Sequence, residues 1–135
     1  MKINSIIIFI LMLEIAFSLI FMNNLNIFQH MLFVQLIPSF LLAIFIGRGA
    51  SGKKLFWLYI IVGSILYSIM MYILLLVTPM DVIENNTVQS STSIFEFNKT
   101  IKFTTYLGFF IQELLLSSFV VLIIKIIRKI NLGRF

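Results

Sequence analysis

The chain consists of four long apolar stretches separated by short polar segments. The stretches are residues 3–22, 30–46, 55–77 and 104–124. A helix needs about 20 apolar residues to cross the hydrocarbon core of a bilayer, where lipid offers no partners for backbone amides. The runs are continuous and lack the alternation of membrane β-strands. The pattern therefore predicts an all-α membrane protein, with one domain over residues 1–135 and four transmembrane helices.

The first stretch also has the layout of a signal peptide. Lys2 precedes the apolar run 6–13, and Ala16-Phe17-Ser18 is an acceptable cleavage site. However, Glu14 interrupts this region and the apolar residues continue through Met22. We therefore interpret the stretch as a retained first span.

The segment between the third and fourth spans, residues 78–103, forms a short outer loop. Thr78-Pro79 is predicted to end the third helix, and residues 85–93 are polar and typical of turns. Between residues 95 and 103, apolar and polar side chains alternate with a period close to two. This period predicts a short strand or extended segment on the membrane surface. It would be either an interfacial anchor for the fourth span or a contact surface for a partner.

Basic residues are concentrated in alternate connecting segments. Eight of the ten Lys and Arg residues precede the first span, join the second to the third, or follow the fourth, and these segments contain no acid. The positive-inside rule then predicts a multi-pass cell-membrane protein with both termini in the cytoplasm. The residues expected to fix this topology and to contact lipid headgroups are Arg48, Lys53, Lys54, Lys125, Arg128 and Lys129.

Composition narrows the classes of function. Hydrophobic residues make up 61% of the chain and charged residues 11%, whereas soluble domains contain about 25% charged residues. Cysteine is absent and His30 is the only histidine, so we predict no metal site and no cofactor. The net charge of +5 follows from membrane orientation, and we predict no nucleic-acid partner. The abundance of Ile, Lys and Asn is typical of an AT-rich bacterial genome.

Residues 47–54 almost match the phosphate-binding P-loop. The glycines and Lys53 fit G-x4-G-K, but Lys54 stands where the motif needs Ser or Thr for magnesium. A P-loop also follows a strand, whereas this segment joins two predicted membrane helices. We therefore predict no nucleotide binding.

Each predicted span brings a polar or helix-breaking residue to a similar depth. Glu14 and Glu113 lie within about 3 Å of the midpoints of their spans, and each has a serine four residues later. An ionisable group inside the membrane costs about 2.5 kcal/mol or more, faces the bundle interior and usually marks function. The candidate midplane layer is Glu14, Gln35, Pro38, Tyr67, Gln112 and Glu113.

No Lys or Arg lies at this depth to pair with either glutamate. We expect one or both carboxyl groups to be uncharged, or to share a proton or a cation. Two interpretations remain open: a functional site, or neutral hydrogen bonding that holds the helices together. Pro38 should break the second helix, because it cannot donate to the Val34 carbonyl.

Small residues recur every four positions in the second and third spans. Such stripes permit close contact between helices, either within one chain or with another copy. They contain Ser39, Ala43, Gly47, Ser64 and Ser68.

These features favour a protein that is not an enzyme, since the sequence shows no further polar centre. The first hypothesis is an accessory or interaction protein of the bacterial cell membrane. It would bind a larger membrane protein, associate with itself, or act as an immunity protein against a membrane-active toxin.

The second hypothesis is a small oligomeric transporter or channel that uses the midplane glutamates for proton or cation coupling. In size, number of spans and an acidic residue in the first span, the chain resembles the small multidrug transporters. No motif of that family surrounds Glu14, and the 26-residue outer loop departs from its compact form.

Overall fold

The computed structural model describes residues 2–87 and 102–133, and within these ranges the chain is entirely helical or irregular, without strands. The elements are α1 (Lys2–Phe21), a 3-10 turn (Met22–Asn24), α2 (Ile27–His30), a π-helical segment (Met31–Leu36), α3 (Ile37–Ala50), α4 (Phe56–Val77), α5 (Met80–Asn86) and α6 (Phe103–Leu132). The all-α prediction is confirmed for these residues.

Within the described residues, four helical units are long and apolar enough to cross a membrane. They are Lys2–Asn24, Ile27–Ala50, Phe56–Val77 and Phe103–Leu132. The predicted number of spans is therefore confirmed, and their bounds agree with the apolar stretches to within a few residues at most ends. The exception is α6, whose 30 residues make it about 45 Å long, so one end extends beyond a hydrocarbon core about 30 Å thick.

The bundle is built around α3, which packs against α1, α4 and α6. The helices α4 and α6 also pack against each other, whereas α1 contacts mainly α3 and the π-helical segment. Buried side chains form two apolar clusters along the bundle. One cluster includes Val34, Tyr67, Met71 and Phe109, and the other includes Ile46, Ala50, Ile60 and Val121.

The small residues of the second and third spans are all buried against helices of the same chain. The set is Ser39, Ala43, Gly47, Ser64 and Ser68. At Gly47, an added Cβ would overlap the side chain of Val120 on α6. The hydroxyl groups of Ser64 and Ser68 donate to backbone carbonyls one turn earlier, at 2.7 and 2.8 Å, so they leave no unpaired donor inside the bundle.

One end of the bundle is closed by α5, a helix that the sequence pattern did not predict. The helix α4 ends directly before Thr78-Pro79, as expected, and α5 then lies over the turn between α1 and α2. Asn86 Nδ2 donates to the carbonyl oxygens of Asn23 and Leu25, at 2.8 and 3.1 Å. These bonds hold the outer loop against the first two spans.

The extended segment predicted for residues 95–103 lies mostly outside the described residues. Within them, Lys102 has an extended backbone and α6 begins at Phe103. At the same end of the bundle His30 is fully buried, and its Nε2 lies 3.2 Å from Thr78 Oγ1. Because the Thr78 hydroxyl donates to the Leu74 carbonyl at 2.8 Å, the His30 ring is the donor to Thr78.

Candidate functional site

The second span changes its hydrogen-bonding pattern just before Pro38. Proline has no N–H and its ring clashes with the carbonyl four residues earlier, which here is Val34. The backbone widens into the π-helical segment, and the N–H of Ile37 donates to the Leu32 carbonyl five residues before it. Single π-helical turns inside α-helices often occur at functional sites. The predicted break at Pro38 is therefore present, as a wider turn within a continuous span.

Carbonyl groups of the π-helical segment accept hydrogen bonds from both neighbouring spans. Ser18 Oγ on α1 lies 3.2 Å from the Phe33 carbonyl oxygen. On the other side, the Tyr67 hydroxyl on α4 donates to the Gln35 carbonyl at 3.3 Å. The altered segment thus lies between two polar clusters, one on each side of the second span.

Glu113 is the centre of the first cluster, which we call the inner cluster: Ser39, Tyr67, Gln112 and Glu113. The Glu113 side chain is fully buried, and its Oε2 accepts a hydrogen bond of 2.8 Å from Ser39 Oγ. Gln112 Nε2 donates to the same Ser39 oxygen at 3.2 Å. Among the described residues, Glu113 Oε1 and Ser117 Oγ have no hydrogen-bond partner. The inner cluster therefore has one unused acceptor, and Ser117, one turn further along α6, has an unused hydroxyl group.

Tyr67 closes the inner cluster on the side of α4. Its ring is fully buried and meets Phe109 edge to face, with centroids 6.3 Å apart. This geometry is favourable for aromatic pairs and fixes the ring, so the hydroxyl is held towards the π-helical segment.

Glu14 belongs to a different environment on the far side of α3. Its side chain is only half-buried, and Oε1 lies 3.1 Å from Ser18 Oγ. A hydroxyl carries one hydrogen, so Ser18 donates to Glu14 or to the Phe33 carbonyl at any instant, unless the carboxyl group is itself the donor. Glu14 Oε2 is buried and has no partner within the described ranges.

The Glu14 carboxyl group lines an open groove of about 570 Å³ between α1 and the second span, which we call the α1 groove. Glu14 is the only ionisable residue of its lining within the described chain, and the walls are apolar. They include Leu13, Ala16, Phe17, Phe33 and Ile37.

The structure thus divides the predicted midplane layer. Gln112 and Glu113 meet at Ser39, the residue after Pro38, and Tyr67 lies beside them, whereas Glu14 lies apart on the α1 groove. No hydrogen bond of the described residues joins the two glutamates. Gln35 takes part through its backbone carbonyl. Ser39 was expected as part of the small-residue stripe, and its place next to Pro38 gives its depth in the span but not the direction in which it faces.

The basic residues expected at the membrane boundary are exposed at the end of the bundle opposite α5. They are Arg48, Lys53, Lys54, Lys125, Arg128 and Lys129. Arg48 Nε donates to Asn4 Oδ1 at 3.0 Å, and Lys125 Nζ lies 3.9 Å from the centre of the Phe56 ring. These contacts bring the start of α1, the turn between α3 and α4, and the extension of α6 to the same end.

No protein-family model matches the chain, and comparisons with curated proteins and with solved structures found no match. The four apolar helices are those of a small multi-pass membrane protein. Any more specific function has to be argued from the geometry of the two glutamates and the charged end.

Proposed function

We propose that this chain is a non-enzymatic accessory protein of the bacterial cell membrane that binds a larger membrane protein through the α1 groove. The observation that carries the proposal is the Glu14 carboxyl group, which lines an otherwise apolar groove and whose buried Oε2 has no partner among the described residues. Acyl chains have no hydrogen-bond donor, so lipid in this groove leaves that oxygen unsatisfied. A protein helix with a polar side chain satisfies it once a rotation of the Glu14 side chain turns the buried oxygen towards the groove.

The proposed occupant is a transmembrane helix that presents a hydroxyl, amide or basic side chain to Glu14. The apolar walls, such as Phe17 and Phe33, would pack against the rest of that helix. Hydrogen bonds between membrane helices contribute about 0.6 kcal/mol on average and about 1.7 kcal/mol at most. Glu14 would therefore select the partner and its register, while packing along the groove supplies most of the affinity. An immunity-type role would use the same surface, with a membrane-active toxin as the bound helix.

Site-specific crosslinking tests this proposal directly. A photo-crosslinking amino acid replaces Phe17, which lines the α1 groove, or Leu19, an exposed α1 residue that is not among the groove residues. We expect one defined membrane protein to crosslink at Phe17 and not at Leu19. The proposal is wrong if both positions crosslink only to lipid, or to the same protein equally.

Substitutions then test the contribution of the carboxyl group. Glu14→Leu removes it and Ala16→Leu fills the groove, while Leu19→Phe is the matched control on α1. We expect the Phe17 crosslink to fall about tenfold in the first two variants, the upper range for one interhelical hydrogen bond, and to be unchanged in the control. Equal yields in all three variants would contradict the proposal.

We also propose that both termini lie in the cytoplasm. Most of the basic residues lie at the same end of the bundle as the two termini, and basic residues favour the cytoplasmic side. The chain has no cysteine, so single introduced cysteines report sidedness without background. With a maleimide that does not cross membranes, Asn85→Cys should be labelled in intact cells and Lys53→Cys only after permeabilisation. The opposite pattern would reverse the topology.

The second candidate function is a small oligomeric transporter, and the inner cluster is the observation that favours it. A buried carboxyl oxygen without a partner, beside an altered helix turn, is the arrangement expected of a proton or cation site. Proton flux into liposomes should then be abolished in Glu113→Gln and retained in Ser118→Ala, an exposed neighbour on α6. Flux equal to that of protein-free liposomes would exclude this candidate.

A further inference from the structure

A second cavity lies at the basic end of the bundle, where three helices meet. It has a volume of about 350 Å³ and is lined by Asn4, Arg48, Ile124, Ile127 and Arg128. The start of α1, the end of α3 and the extension of α6 each contribute to it. We call it the arginine cavity, because two guanidinium groups from different helices border one small space.

Both guanidinium groups are positioned by neighbours. Arg48 Nε donates to Asn4 Oδ1 at 3.0 Å, which leaves the donors on its two terminal nitrogens available. Arg128 Nη1 lies beside Gly52, where an added Cβ would be 3.3 Å from it. Gly52 has a φ of +88°, a conformation that favours glycine, so the turn between α3 and α4 leaves room for this side chain.

No acidic side chain among the described residues lies at this end of the bundle. The five acidic residues of the chain are at positions 14, 81, 84, 96 and 113, within the first and fourth spans or in the outer loop. Lys125 adds a further positive charge nearby, although its ammonium group is directed to the Phe56 ring. The described residues therefore supply no anion to pair with either guanidinium group.

We propose that the arginine cavity binds the phosphate group of an anionic phospholipid. A guanidinium presents a fixed fork of donors that matches phosphate oxygens, and two such groups can hold one phosphate from two sides. Ile124 and Ile127 supply the apolar wall that the glycerol and upper acyl chain would contact. Inorganic phosphate has the same oxygens but no apolar group to contact the two isoleucines, so a phospholipid fits the whole cavity better.

The position of the cavity along the bundle agrees with a headgroup site. It lies where α1 begins and where α6 leaves its apolar stretch at Lys125. Anionic lipids attract basic residues that lie close to the membrane surface. The arginine cavity shares no lining residue with the α1 groove, so this proposal does not depend on the proposed partner.

Native mass spectrometry of the detergent-purified protein tests the proposal. The probes are phosphatidylglycerol and phosphatidylcholine at equal concentration, and the test variant combines Arg48→Gln with Arg128→Gln. The matched control combines Lys53→Gln with Lys129→Gln, which removes the same charge at the same end from residues that are not among the cavity lining. We expect the preference for phosphatidylglycerol to fall about thirtyfold in the arginine variant, about fivefold for each arginine, and less than about fivefold in the control.

Two further measurements distinguish lipid from inorganic phosphate and provide a test if the double variant does not fold. Bound phosphatidylglycerol should survive millimolar inorganic phosphate; displacement would overturn the assignment to lipid. Arg48→Lys keeps the positive charge but lacks the forked pair of donors of the guanidinium group. Its preference for phosphatidylglycerol should therefore lie between those of the unmodified protein and the double variant, and it can be measured even if the double variant does not fold. Equal losses in the arginine and lysine variants, or no loss in either, would overturn the arginine cavity as a binding site.

Discussion

Glu14 and Glu113 share a residue type, a similar depth within their spans and a serine four residues later, yet they lie in different surroundings. Glu113 is fully buried between α3 and α4 and accepts a hydrogen bond from Ser39. Glu14 is half-buried and borders an open apolar groove. The difference arises because α6 packs against two helices, whereas α1 packs mainly against α3 and the π-helical segment.

The comparison separates two consequences of placing a carboxyl group inside a membrane protein. Each glutamate has one donor within the bundle, Ser39 for Glu113 and Ser18 for Glu14, and one oxygen without a partner among the described residues. Glu113 is fully buried between helices, so its carboxyl group contributes to the cohesion of the bundle. The Glu14 carboxyl group instead borders an open groove, a space that a group from outside the chain can enter. We therefore expect the inner cluster to govern stability and the α1 groove to govern association.

The largest expected effect is on stability at the inner cluster. Glu113→Ala should lower the free energy of unfolding by about 3 kcal/mol, because it opens a cavity and removes the acceptor of Ser39. Glu14→Ala should lower it by no more than about 1 kcal/mol, since only one hydrogen bond, to a half-buried side chain, is lost. Unfolding by SDS in mixed micelles measures both values. Equal losses would remove the distinction between the two glutamates.

The packing that encloses Glu113 gives the next effect. Gly47→Ala places a methyl group against Val120 and should separate α3 from α6, whereas at Gly49 an added Cβ meets nothing within 4 Å. Both substitutions gain helix propensity, so their difference isolates the steric cost. We expect Gly47→Ala to be less stable than Gly49→Ala by about 1–3 kcal/mol in the same unfolding assay. Equal stability would mean that α3 and α6 are not held closely together.

The apolar stretches and polar depths were predictable from the sequence because both depend on position along a helix. Their direction around the helix was not, which is why Glu14 and Glu113 were placed in one layer. Each has polar and apolar residues one turn away, and a span that is apolar on all sides has no amphipathic face to indicate its orientation. Only the packing of α1 against α3 turns Glu14 towards the groove.

Two further features, α5 and the π-helical segment, depend on tertiary contacts that the pattern of apolar and polar residues does not show. The seven residues of α5 are too few to form a stable helix alone, and buried Ile83 and the bonds of Asn86 hold it in place. Pro38 predicted a break in the second helix but not its form, because a proline permits a kink, a wider turn or an end of the helix. The wider turn is favoured here because Ser18 and Tyr67 supply donors for the carbonyl groups of the segment.

The smallest effect concerns this π-helical segment, which lies between the two regions. Ser18→Ala removes the hydroxyl beside the Phe33 carbonyl on the Glu14 side, and Tyr67→Phe removes the donor to Gln35 on the Glu113 side. Each should cost about 0.6 kcal/mol, the average for a hydrogen bond between membrane helices. Ser118→Ala, which affects an exposed hydroxyl bonded within its own helix, is the control and should cost less.

The double variant of Ser18→Ala and Tyr67→Phe then tests whether the two sides are independent. If the π-helical segment is rigid, the costs add to within about 0.5 kcal/mol, and the α1 groove can bind a partner without altering the inner cluster. If the segment relaxes into another hydrogen-bonding pattern when one donor is lost, the second substitution costs much less than the first. That result would connect the two glutamates through the second span, so that a helix bound at Glu14 changes the surroundings of Glu113, and the division between stability and association would no longer hold.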